Sequence, residues 1–209
     1  MPHSYRAFTT DKFLAQIKDF DWQRRVWRVD LHHTFRPDHA RWRQIGSRAC
    51  VEGMRRSHVE ERGFADIAQH VSIMPDGEIW TGRDWNRTPA SVGFGMNRGV
   101  FMIETVGNFD CGCDRLEGVQ LESVVAVIAG VQRRFGLPAE ALLFHREVPQ
   151  TEKTCPGTSV CKAELLMSVR RRRLPVPVLA GLERLPLEPQ ERGFAPHPTK
   201  GLGPLETMA

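Results

Sequence analysis

Long apolar runs are missing from this chain of 209 residues. Nowhere do about 18 apolar residues follow one another, so no transmembrane helix is expected. The opening Met1-Pro2-His3-Ser4-Tyr5-Arg6 lacks the apolar stretch of a secretory leader. The expectation is a protein that stays in the cytoplasm or leaves by a route without a signal peptide. Cysteine is too sparse and uneven for a disulfide framework. Five residues (50, 111, 113, 155 and 161) stand in a chain long enough to need no staples. Reduced thiols are expected, one of them a metal ligand. Cys111-Gly112-Cys113 is spaced too tightly for an ordinary structural zinc knuckle. The chain has no internal repeat, no known nucleic-acid motif and no basic patch interleaved with aromatics. A net charge of +4 asks only weakly for an anionic partner such as a wall polymer, a nucleic acid or an acidic membrane.

What is present fits one ordinary domain with an appendage. Phe13, Leu14, Ile17 and Phe20 share one face of a helix over 10–20, with Thr10 as its cap. Residues 25–31 alternate as a strand that ends at His32. Residues 35–47 read as an irregular polar loop. Val51, Met54, His58 and Val59 return to helical spacing until Gly63. Gln69–Met74 and Glu78–Gly82 form a hairpin about Asp76-Gly77, which supplies the positive φ of a tight turn. Residues 83–98 read as loop, and Val100–Val106 as a buried strand holding one acid, Glu104. The apolar stripe Leu121, Val124, Val125, Ile128, Val131 and Phe135 marks a helix over 117–135, stopped by Gly136 and Pro138. A short strand, Leu142–Phe144, delivers His145, and a last helix runs from about Thr158 to Arg171. Beyond Leu174 the periodicity ends, and half of the fourteen prolines fall there. The expected class is α/β, a central mixed β-sheet flanked by helices. The expected divisions are an N-terminal helical extension (1–24), a main domain (25–173) and a Pro-rich C-terminal arm (174–209). The Arg170–Arg173 run reads as a solvated helix end that suits the macrodipole.

The stretch His145–Gly157 puts an imidazole, an ammonium and a thiol into one loop. His145 and Cys155 could converge on one ion, with His32 brought in from a neighbouring strand as third ligand. A helix starting after Cys-Pro-Gly would favour the thiolate of Cys155.

Six segments, in this order, resemble one family. They are His32-His33-Thr34, Arg62–Val71, Pro75–Arg83, Asn97, Ile103–Asp110, and His145 with Cys155-Pro156-Gly157. The resemblance is to the zinc-dependent N-acetylmuramoyl-L-alanine amidases of type 2, which include phage lysozyme-type amidases and peptidoglycan recognition proteins. It runs from about residue 27 to 169. It implies Zn²⁺ held by His32, His145 and Cys155, with Lys153 donating to the oxyanion of the tetrahedral intermediate. One departure matters. Where phage-type members carry a tyrosine, this chain has Gln69, which cannot act as a general base. A second branch, similar to the cytosolic anhydro-muropeptide amidases, uses a glutamate in Ile-Glu-x-x-Gly, and Ile103-Glu104-Thr105-Val106-Gly107 fits that pattern. Glu104 is therefore expected to take the proton.

His33 and His70 are candidates to orient ligands through hydrogen bonds. Trp42, His70, Arg83 and Asn97 are candidate substrate contacts, and Trp80 and Trp85 could stack on sugars. The implied partner is peptidoglycan or a muropeptide, met by a monomer, without nucleic acid. An immunity or secretion partner stays open, as does a non-catalytic binding module on the same fold.

Overall fold

The computed structural model describes residues 5–93, 95–149 and 151–173, so the arm expected over 174–209 lies outside the described residues. The strands are β1 (Ala7–Phe8), β2 (Arg28–His33), β3 (Val71–Ile73), β4 (Ile79–Thr81), β5 (Val100–Thr105) and β6 (Leu142–Phe144). The helices are α1 (Thr10–Asp19), α2 (His39–Arg56), α3 (Gly118–Phe135) and α4 (Lys162–Arg173). The strands make one mixed sheet in the order β1-β4-β3-β5-β2-β6. Strands β3, β5, β2 and β6 run parallel, while β4 is antiparallel to β3 and to β1.

The two-residue period of a strand sorts the chemistry. Val29 and Leu31 of β2 join Phe101 and Ile103 of β5 in the main core beneath α3. Their alternates, Asp30 and His32 on β2 and Met102 and Glu104 on β5, therefore face the other way. Parallel register then sets His32 opposite Glu104, and Glu104 opposite Ser72 of β3. A row of polar groups crosses three strands on the face away from α3.

Helix α3 is buried from Ser123 to Gln132 because it lies between the sheet and the helices α1 and α4, which pack on it. That explains why its apolar residues wrap around it rather than keep to a stripe. Gly136 ends it in the left-handed conformation, as the sequence indicated. Phe13 and Ile17 of α1 enter the same core as the sheet. Thr9, not Thr10, is the N-cap residue of α1, and Thr10 Oγ1 instead pairs with Ser123 Oγ at 2.9 Å.

The expected loop over 35–47 is largely helix. Asp38 caps α2, its carboxylate accepting from Arg41 N at 2.7 Å. Gly46, at φ 79°, breaks the helical path, and the chain then resumes it. The early turns of α2 carry Arg41, Arg43 and Gln44 toward solvent, so they show no apolar period to read.

Candidate metal centre

The carboxyl ends of three parallel strands build the centre, the usual place for a site in such a sheet. His32 is the fifth residue of β2, Glu104 the fifth of β5, and His145 follows β6 directly. Cys155 arrives on the loop after β6. The ligand atoms of His32, His145 and Cys155 all lie within 4.8 Å of one another. Nδ1 of His32 is 3.2 Å from Nδ1 of His145 and 3.5 Å from Cys155 Sγ. All three residues are buried.

The Cys155 loop is tied down residue by residue. Arg146 N donates to Cys155 O at 2.8 Å, and the Arg146 guanidinium donates to the carbonyls of Gly157 and Val160. Asp110 accepts from Thr158 N at 2.9 Å and from Thr154 Oγ1 at 3.0 Å. Gly157 stands at φ 116°, where an added Cβ would collide with the Phe109 backbone. The thiol itself accepts from His33 N at 3.4 Å.

The protonation states at this point suit metal ligation. Burial holds His32 well below its usual 6.5, and the charge of Lys153, like that of His145 if it were protonated, pushes the same way. His145 is brought down to about 4 by burial and by Lys153. Both imidazoles are therefore neutral and able to coordinate. Burial and the charge of Glu104 push the Cys155 thiol up, against the pull of His33 N–H. The expected helix start after Cys155 is absent, since α4 begins only at Lys162. The dipole of α4 therefore does not reach this thiolate; Lys153 and Arg146 favour it, and a bound cation would add to them. Two neutral imidazoles and one thiol make a donor set that fits zinc. Burial pushes the Glu104 carboxyl up from 4.5 to about 8, while Lys153 and Arg62 pull it down.

These groups open on a groove of about 960 Å³ whose walls include His33, Glu104, Lys153 and Arg62. Lys153 is exposed and its charge reaches all three candidate ligands and Glu104. Phe35 stands at the mouth, half exposed, at φ 57°.

The structure does not bring the other expected contacts to this groove. Trp42 packs beside Val51, Met54 and Trp80, with its Nε1 on Ser47 Oγ at 3.0 Å. Arg83 spends its guanidinium on the carbonyls of Asp66, Ile67 and Thr88, beside a separate cleft. Asn97 Oδ1 accepts from Val92 N and Gly93 N, both at 3.0 Å, and closes its own loop. His70 is fully buried, stacked on Phe101, with Nδ1 accepting from Met102 N at 2.9 Å. Trp80 and Trp85 are buried. Gln69 is buried too and donates to Ser72 Oγ at 2.9 Å. His33 acts on Cys155 through its backbone N–H, while its imidazole Nδ1 accepts from Phe109 N at 3.2 Å. Arg62 and Asp110 stand at the ends of two of the resembling segments, but no motif in the sequence marks them or Arg146 for this centre. The position of Arg146 beside His145 is the one available hint.

The chain matches the family of N-acetylmuramoyl-L-alanine amidases over residues 22–158. A human N-acetylmuramoyl-L-alanine amidase is 29% identical over 132 residues, 62% of this chain and 22% of that protein. Peptidoglycan-recognition protein SC2 of Drosophila melanogaster is 28% identical over 116 residues, 54% of this chain and 60% of that one. The chain thus matches only part of the length of these relatives. Among solved structures, Drosophila peptidoglycan-recognition protein LB superposes with a TM-score of 0.56 at 26% identity, covering 69% of this chain and 81% of that one. A variant of the same protein, 27% identical to this chain, was solved in complex with tracheal cytotoxin. An endolysin amidase from Clostridium intestinale shares the fold, with a TM-score of 0.56 at 23% identity over 73% of this chain and 92% of that one. With flanked mixed sheet, ligand geometry and sequence match in agreement, this chain belongs to the N-acetylmuramoyl-L-alanine amidase family.

Proposed function

We propose that the chain is a zinc hydrolase that cleaves the amide between the lactyl group of N-acetylmuramic acid and L-alanine, in peptidoglycan or its soluble fragments. The observation that carries this reading is the convergence of His32, His145 and Cys155 on the groove that also holds Glu104. His32, His145 and Cys155 would hold the zinc, which when bound supplies Lewis acidity for the scissile carbonyl, acidifies a water and favours ionised Glu104. Glu104 takes the water's proton and returns it to the leaving amine. Its place in a low-dielectric pocket keeps its proton affinity high enough for that shuttle. Lys153 donates to the developing oxyanion, a contribution of about 3 kcal/mol by comparison with other oxyanion donors. Arg62 and Lys153 oppose the effect of burial and favour the ionised form of Glu104. The catalytic unit in this reading is 25–173, with α1 completing its core.

Recognition without cleavage is the second reading, favoured by the recognition proteins among the relatives. Retention of Cys155 together with Lys153 and Glu104 weighs against it. Incubation with purified sacculi, with anhydro-muropeptides and with tracheal cytotoxin, followed by mass spectrometry, tests both. The proposed enzyme contains about one zinc per chain and releases free stem peptides, and chelation stops it. Binding without product, at full zinc occupancy, refutes the hydrolase.

A further inference from the structure

The outer nitrogen of His32 has a partner of its own. While Nδ1 faces His145 and Cys155, Nε2 lies 2.8 Å from Ser91 Oγ. Ser91 has one hydroxyl proton to give. Asp30 takes it, with Oδ2 2.7 Å from Ser91 Oγ. Asp30 is fully buried, and Arg28 grips it from the other side, Nε donating to Oδ1 at 2.6 Å and Nη2 to Oδ2 at 3.0 Å. Against that guanidinium the carboxylate can only accept. With its proton committed to Asp30, Ser91 meets His32 as an acceptor. The ring proton of His32 must then sit on Nε2, which leaves the lone pair on Nδ1.

We propose that Ser91 is a positioning residue that sets the tautomer of His32, so that Nδ1 is presented to the metal. The consequence for metal binding rests on the zinc reading above, but the tautomer itself belongs to the metal-free chain. The geometry behind it is built from outside the centre. Val92 N and Gly93 N, next to Ser91, are pinned by Asn97 Oδ1. Arg28 Nη2 also donates to Met96 O at 2.8 Å, so the residue that grips Asp30 anchors the same loop. Asn97, expected at the substrate, instead helps to place Ser91. Partners of this kind commonly change metal affinity by about 10–100-fold.

The test uses Ser91→Ala and the shape-matched pair Ser91→Thr and Ser91→Val, which differ only in the hydroxyl. Long-range proton–nitrogen spectra of the metal-free chain should show His32 as the Nε2–H form in the wild type and in Ser91→Thr. In Ser91→Ala and Ser91→Val a mixture of tautomers is expected. Zinc affinity, measured by chelator competition, should fall about 10–100-fold in Ser91→Ala and Ser91→Val and be kept in Ser91→Thr. Activity of the weakened variants should return at saturating zinc with KM unchanged. Unchanged tautomer and unchanged affinity in Ser91→Val overturn the proposal. A wild type that shows the Nε2–H tautomer yet binds no zinc overturns the zinc reading alone.

Discussion

Replacing Glu104 with glutamine separates the chemistry of the site from its stability, because the carboxyl enters each with opposite sign. In the metal-free chain burial raises its pKa from 4.5 to about 8. Between those two values the unfolded chain loses the proton and the folded chain keeps it. The contribution of Glu104 to folding stability therefore falls as pH rises from 4.5 to about 8 and levels off above. The slope approaches about 1.4 kcal/mol per pH unit. Carried over the full window it amounts to a few kcal/mol, a large share of the stability of an ordinary domain. Glutamine has the same shape and no titration. Chelator-treated Glu104→Gln should thus be more stable than wild type at pH 8, by roughly 2–4 kcal/mol, and equal to it near pH 4.5. Its hydrolysis should fall by about 10²–10⁴, the usual worth of a general base, with zinc content unchanged. Urea unfolding at pH 5, 6, 7 and 8 reads the first quantity, and product release from muropeptide the second. Parallel pH profiles for the two proteins refute the electrostatic argument, and a variant with near-wild-type turnover refutes the catalytic one.

Lys153→Ala should lower kcat by about 10²–10³ and leave the unfolding midpoint in place, since the side chain is exposed; a change in KM alone would contradict the oxyanion role. Gly157→Ala should weaken zinc binding and destabilise the chain, because its Cβ meets the Phe109 backbone and the Cys155 loop must shift; chelator competition and thermal unfolding measure the two effects. On the acid side, burial holds His58 near 4 and His70 near 3. Both are lowered values, so their contribution to stability should be lost as pH falls through 6.5 toward 4; in the Glu104→Gln variant, where the opposing carboxyl is gone, a flat profile from pH 7 to 4 would contradict it.

The parts of the fold that were readable from the sequence carry a local signal. Asp76-Gly77 announces its hairpin, and Gly136 followed by Pro138 ends α3. The start of α2 was unreadable because its first turns are solvated and Gly46 interrupts them. Strand β1 is illegible in the sequence because two residues hold no period. At the centre, residue type pointed to His32, His145 and Cys155, and the structure brings them together. Residue type alone misdirected elsewhere. Arg83 and Asn97 have the hydrogen-bonding capacity of ligand-binding groups, but they spend it on backbone atoms. His70 does so from full burial. That depends on which carbonyls and amides lie nearby, which only the tertiary fold decides. Ser91 is the converse case, a loop serine whose partners are 59 and 61 positions away.

The first candidate metal donor is far from the other two along the chain, with His32 113 positions before His145 and 123 before Cys155. Parallel strands impose such separations, because each return needs a crossover. A nascent or unfolded polypeptide therefore presents no preformed chelate of all three donors. An ion that binds only the finished fold stabilises it by mass action, about 2.7 kcal/mol at a hundred times its dissociation constant. On the zinc reading proposed above, metal supply would govern more than turnover. It would set how long a folded copy resists proteolysis, tying the abundance of the protein to the metal status of its surroundings.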